Sequence, residues 1–190
     1  MGLGYYEVGG FKTVIDNLSK YLPRYTPSIY VPGLRNKFIN IALKHLYSRI
    51  LPKIKWITAV SLYASKQLLN MYGIRSKVIY NGVDLELFKP CLKRQIDEPI
   101  ILNMTAYNNF KGRDLLIKFF KFILRKYPNV KLLARGIGVN NRNIIDITSY
   151  LRNEDIPKIY CLSNMYLLTS RWESFGLPII ESFATGTPVV

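Results

Sequence analysis

Apolar residues recur along this chain with two periods, and the two periods alternate. After Gly9-Gly10 the segment FKTVIDNLSKYL sets Phe11, Val14, Ile15, Leu18 and Leu22 on one helical face, and Pro23 stops it. SIYV (28–31) predicts a short strand ending at Pro32-Gly33. Residues 34–51 predict a second helix: Leu34, Phe38, Ile41, Ala42, Leu46 and Ile50 share a face, with Lys37, Asn40, Lys44 and Ser48 opposite. KWITAV (55–60) predicts a buried strand. Ser61 is placed to cap the helix LYASKQLLNMY, and Gly73 to end it. KVIY (77–80) predicts another strand before the Asn81-Gly82 turn.

The same rhythm runs again further on. Residues 84–98 are polar and contain Pro90, so the chain divides into a half at 1–90, a linker at 91–98 and a half at 99–190. PIILNMTAY predicts a strand. GRDLLIKFFKFILRKY predicts a helix burying Leu115, Leu116, Phe119, Phe120, Ile123 and Leu124. VKLLARGIG, NIIDIT and MYLLTS predict strands, DIPKIYCLS a short helix, LPIIESFATG a helix ended by Gly186, and PVV the start of a strand. Strands alternating with helices at this spacing imply parallel sheets with right-handed crossovers: α/β, two Rossmann-like halves. Ligands of such sheets bind beyond the carboxyl ends of the strands.

Composition narrows the classes. Hydrophobic residues are 49% and charged residues 21% of 190, a globular balance. Two cysteines, Cys91 and Cys161, exclude a disulfide-rich scaffold; one bridge is open to them, and the expectation is two free buried thiols in a reducing compartment. No run of eighteen apolar residues occurs, and MGLGYYEVGG has no signal core, so the expected location is cytoplasmic. The charge is uneven. Lys and Arg number 27 against 12 Asp and Glu, a net of +15, and no acidic residue falls between Asp16 and Asp84. That half is expected to meet something anionic. An anionic membrane surface, bound peripherally through 34–55 with Lys37, Lys44, Arg49, Lys53 and Lys55, is one partner; packing of the helix's apolar face on its own sheet is the alternative. Nucleic acid is not expected, since no helix-turn-helix, zinc-finger or RNP signature is present.

The chemistry concentrates after MYLLTS. A loop, RWESFG, enters a helix at Leu177-Pro178, and the free amides near Phe175, Gly176 and Leu177 make an anion site. Glu173 lies in the loop, and Glu181 about one turn into the helix, where a carboxylate can accept both hydroxyls of a ribose. The run ESFGLPIIESFATGTPVV resembles the family-4 glycosyltransferases of the GT-B fold, through Glu173, Phe175, Gly176, Leu177, Pro178, Glu181, Ala184, Gly186, Pro188, Val189 and Val190. Upstream segments agree in order: Asn81, Gly82, Val83, Asp84, Phe88 and Pro90; Lys111, Gly112, Asp114 and Leu116; Gly136 and Gly138; and Gly9-Gly10, which resembles the family's acceptor-side loop.

The resemblance implies a retaining transfer of a sugar from a nucleotide-sugar to an acceptor whose class, lipid-linked, protein or glycan, stays open. It implies catalytic roles for Glu173, at the donor sugar, and Lys111, at the departing diphosphate. It places Glu181 on the ribose and Phe175, Gly176, Leu177 and Gly136 in the donor site. It implies no metal and no cofactor, a reduced N-terminal half, and further strands and a closing helix after Val190. Ala106 stands where the family carries an Arg, and His45 reads as a surface histidine. The rival classes are a catalytically inactive relative that binds a nucleotide-sugar, glycan or membrane, and a basic nucleic-acid-binding protein.

Overall fold

The computed structural model describes residues 45, 48–49, 51–54, 56–91, 98–107, 109–148 and 151–190. They fall into two compact units, Met1–Asn81 and Gly82–Val190. The expected helix at 11–22, the strand at 28–31, the Gly9-Gly10 loop and most of the basic stretch 34–55 lie outside the described residues. His45 is an exposed helical residue.

In the first unit, strand β1 (Thr58–Ala59) pairs in parallel with β2 (Lys77–Val78), and helix α1 (Leu62–Tyr72) joins them. The ends of α1 follow from local chemistry. The Ser61 hydroxyl accepts from the Ala64 amide at 3.0 Å, filling one orphan donor of the first turn. Gly73 at φ 69° turns its amide back onto the Leu69 carbonyl at 2.8 Å.

The second unit holds β3 (Ile100–Asn103), α2 (Arg113–Lys126), β4 (Lys131–Ala134), β5 (Ile144–Asp146), α3 (Ile156–Leu162), β6 (Met165–Tyr166) and α4 (Leu177–Ala184). Its sheet has the order β5-β4-β3-β6, all parallel, and Val189 adds a bridge to Tyr166. The α/β parallel-sheet class read from the sequence is the class observed. Side chains alternate across the sheet as the pleat requires. Ile101, Leu132, Ala134 and Ile144 pack with Leu116 and Phe120 of α2 on one face. Leu102, Leu133 and Ile147 pack with Phe88, Tyr160 of α3 and Tyr166 on the other, with Ile179 and Ala184 of α4 against them. Phe88, before the expected linker, thus belongs to the second core.

Two expectations need correction. Leu115 and Phe119 are each 42% exposed, so α2 buries a narrower stripe than predicted. A helix carrying apolar residues at most positions has no unique face by periodicity, and packing on the sheet selected Leu116 and Phe120. The cysteines are not free thiols: Cys91 and Cys161 form a disulfide. The physical reason is the seat of Phe88. Its ring meets that of Tyr160 at 6.1 Å, which lays residues 88–91 over α3 and brings Cys91 to the residue following Tyr160. The bridge spans 70 residues, and closing so long a loop in the unfolded chain is worth about 4 kcal/mol in the chain-entropy account.

Candidate active site

The site lies where β3 and β6, neighbours in the sheet, both end. Beyond β3 the chain makes a 3-10 turn, Asn109–Lys111, then Gly112 at φ 73°, then α2. Beyond β6 it runs through Thr169 and Ser170 into the loop RWESFG and α4. These two connections are laced together. The Asn103 side-chain amide donates to the Leu167 carbonyl at 2.8 Å, the Thr169 hydroxyl donates to the Lys111 carbonyl at 3.2 Å, and the Arg171 amide donates to the Phe110 carbonyl at 3.2 Å. Arg171 also grips Asp114 with two nitrogens, each at 2.7 Å, and donates to the Asn109 carbonyl. The bidentate Arg171 bonds hold the Asp114 carboxyl down at about 2. The Phe110 and Trp172 rings meet at 6.1 Å.

This lacing sets Lys111 against Glu173. Their Nζ and Oε1 are 2.8 Å apart, and the side chains are only 13% and 21% exposed. Residues expected to act together are therefore in direct contact, 62 positions apart in sequence. Gly176, at φ 87°, turns the loop into α4, and as the N-cap residue it brings no side chain to cap that helix start. Pro178 in the first turn has no amide to leave unsatisfied.

Glu181 of α4 is held by a residue of α3. The Tyr160 hydroxyl donates to its Oε2 at 2.8 Å. Burial pushes the Glu181 carboxyl up, while the Tyr160 bond and the charge of Arg135 pull it down. Burial pushes the Tyr166 hydroxyl well up, and the charges of Glu173 and Glu181 both act on it in the same direction. That hydroxyl is buried, with Thr105 and the Met104 backbone the polar groups that act on it besides the glutamates.

The glycine pair after β4 wraps the Asp146 carboxylate. The Gly136 amide donates to Asp146 at 3.2 Å and to the Thr148 hydroxyl at 2.6 Å, and the Gly138 amide reaches Asp146 at 2.6 Å. Burial pushes Asp146 up, but the bonds from Thr148, Gly138 and Gly136 outweigh it and hold its carboxyl below the usual range. Gly136 is a packing glycine: a Cβ there would lie 2.6 Å from Cβ of Tyr107. Asp146, Tyr160, Arg135 and the Arg171–Asp114 clamp escaped the sequence reading. Asp146 alone left a local signal, a carboxylate closing an apolar strand ten residues after the glycine it holds. Among the described residues no group of three or more His, Cys, Asp or Glu gathers as metal ligands, and no helix is long and apolar enough to cross a membrane.

The sequence profile of the family described as Glycosyl transferases group 1 matches residues 86–190. The chain is 26% identical over 189 residues to an uncharacterised 41.2 kDa protein of the cps region of Klebsiella pneumoniae, covering 82% of this chain and 52% of that protein. It is 28% identical over 157 residues to mannosylfructose-phosphate synthase of Agrobacterium fabrum, covering 65% and 34%. Sucrose-phosphate synthase from Thermosynechococcus elongatus superposes with a TM-score of 0.67 at 21% identity, over 82% of this chain and 45% of that one. TarM of S. aureus, solved with Fondaparinux, alpha-GlcNAc-glycerol and UDP, superposes at 0.62 and 20% identity, over 77% and 31%. At those identities the likeness establishes the fold, that of the GT-B glycosyltransferases. The chain spans about half or less of the length of these relatives.

Proposed function

The chain belongs to the glycosyl transferases group 1 family, and from that premise we propose that it binds a nucleotide-sugar at the shared end of β3 and β6 and transfers the sugar with retention to an acceptor. The observation that carries the reading is the Lys111–Glu173 contact at 2.8 Å, held at the mouth of a parallel sheet beside the uncapped start of α4. A cation, an open helix N-terminus and a carboxylate in one crevice suit a diphosphate leaving group and a reacting anomeric carbon. Lys111 takes charge from the departing diphosphate, and Glu173 faces the donor sugar. Phe175, Gly176 and Leu177 offer amides to the phosphates. Glu181, with one oxygen engaged by Tyr160, keeps acceptor capacity for the ribose diol. Gly136 serves this site through its packing.

The test is a thermal-shift screen of UDP-, GDP- and ADP-sugars followed by a donor-hydrolysis assay. A native-state ligand raises the melting temperature, and hydrolysis separates an enzyme from an inactive relative. Glu181→Ala is expected to weaken the stabilising nucleotide by about ten- to a hundredfold, roughly 1.5 to 3 kcal/mol for a charged hydrogen-bonded pair. Titration calorimetry reads this, and unchanged affinity removes Glu181 from the ribose.

No metal enters this proposal. Lys111 and the α4 amides supply the positive potential that a divalent ion provides elsewhere. Transfer or donor hydrolysis is accordingly expected to persist in excess EDTA. Loss on chelation, restored by magnesium or manganese, would reverse the assignment.

A further inference from the structure

Helices α3 and α4 are joined by a buried polar knot, and Tyr160 sits in it. The side chain is fully buried. Its ring meets that of Phe88 at 6.1 Å and that of Tyr166 at 5.9 Å. Its carbonyl accepts from the Thr187 hydroxyl at 2.8 Å. Thr187 is fastened in turn to α4: its amide donates to the Ser182 carbonyl, and the Ser182 hydroxyl donates back to the Thr187 carbonyl, both at 2.8 Å. Ser182 and Thr187 are buried as well. The residue after Tyr160 is tied to Cys91 by the disulfide, and the Cys91 amide donates to the Thr185 carbonyl at 3.4 Å. Ring, carbonyl and following residue are thus all fixed, two of them to the turn that ends α4. From this seat the Tyr160 hydroxyl donates to Oε2 of Glu181 at 2.8 Å.

We propose that Tyr160 is a positioning residue for the donor: by holding Oε2 of Glu181 it orients the carboxylate before the ligand arrives, and so raises affinity for ribonucleotides over nucleotides that lack the ribose hydroxyls. This rests on the donor reading above, in which Glu181 accepts from the ribose. The two hydroxyls of a ribose are held side by side on one ring, and a carboxylate meets both only when its plane is turned toward them. A glutamate reaches that orientation through three rotatable bonds. Freezing them as the ligand binds weakens a complex by about two- to tenfold. Here folding does the freezing, because a donor fixed at three points holds one carboxylate oxygen in place. The bond leaves room for the ligand: an ionised carboxylate offers about four acceptor sites, and Tyr160 takes one. A tyrosine suits the task, since its hydroxyl stands at the far end of a ring that packs as core.

The test is calorimetry on the full chain with UDP, GDP and ADP and with their 2′,3′-dideoxy counterparts. Tyr160→Phe keeps the ring, its packing and the bond to its carbonyl, and removes the hydroxyl alone. For whichever nucleotide binds, the variant is expected to lose about fivefold against the ribonucleotide and less than about twofold against the dideoxynucleotide. The donor KM is expected to rise by the same factor, with kcat within about twofold of wild type. In a Glu181→Ala background the loss from Tyr160→Phe is expected to vanish, because the two side chains act as one unit. Full ribonucleotide affinity in Tyr160→Phe overturns the role of Tyr160. Equal losses on the two kinds of nucleotide overturn it too, since they are the mark of a structural defect, and so does a loss that persists without Glu181. A wild type that binds both kinds alike, or neither, overturns instead the ribose reading on which the proposal rests.

Discussion

Glu173→Gln is expected to lower turnover by about two to three orders of magnitude while donor affinity changes by less than about threefold. The asymmetry comes from the pair that Glu173 forms. Its carboxylate and the Lys111 ammonium neutralise each other at 2.8 Å. An arriving diphosphate offers Lys111 a second anion, and the contact that strengthens as the glycosidic bond breaks is the one to the phosphate. On the proposed reading Glu173 is then released toward the anomeric centre, where positive charge develops only in the transition state. Interactions made only there raise kcat and leave ground-state binding nearly unchanged. Lys111→Met behaves differently, because it removes a partner from both states. Affinity and turnover both fall, and Glu173, 21% exposed, is left without its cation at a cost of about 2 kcal/mol in stability. Steady-state kinetics with calorimetry of both variants resolves the two patterns. Turnover of Glu173→Gln within about fivefold of wild type would remove the residue from the reacting centre.

What could be read from the chain before its structure depended on range. The Ser61 and Gly73 caps were legible because a cap is made within three or four residues of itself. The parallel class was legible because it follows from the alternation of periods. The strands came out shorter than their apolar runs: KWITAV yields only Thr58–Ala59, and MYLLTS only Met165–Tyr166. Burial of an apolar run exceeds its ladder pairing, and periodicity reports burial. The face of α2 was misjudged for the related reason that Leu115, Phe119 and Phe122 are as apolar as the residues that pack. Contacts between distant residues were legible only where a motif carried them. Lys111 and Glu173 both belong to segments with a family pattern. Arg171–Asp114 and Tyr160–Glu181 join positions 57 and 21 apart, and nothing in either member names the other; the two cysteines name each other as the one possible pair, but the sequence does not say whether they meet.

Gly112→Ala is expected to destabilise the second unit by more than about 3 kcal/mol and to displace Lys111 from Glu173. Gly112 sits at φ 73°, where a Cβ already costs about 1–2 kcal/mol. The larger contribution is steric. A Cβ there would lie 1.8 Å from the Thr169 carbonyl oxygen and 2.6 Å from its carbon. Those are backbone atoms of the chain leaving β6, so no rotamer change relieves the overlap. Either Thr169 retreats or the 109–112 turn does. Both routes strain the bond from the Thr169 hydroxyl to the Lys111 carbonyl, which is what fixes the ammonium opposite Glu173. Gly186→Ala is the control within the same unit. Its φ is 72°, and nothing lies within 4 Å of the added Cβ, so it bears the conformational cost alone, the same about 1–2 kcal/mol. Denaturant unfolding of the two variants measures the difference, and donor hydrolysis reads the displacement of Lys111. Equal losses of stability in the two would mean that the approach of the β6 exit to Gly112 contributes nothing. A stability loss confined to Gly112→Ala, with turnover falling alongside it, ties the close approach of the β6 exit to Gly112 to the placing of Lys111.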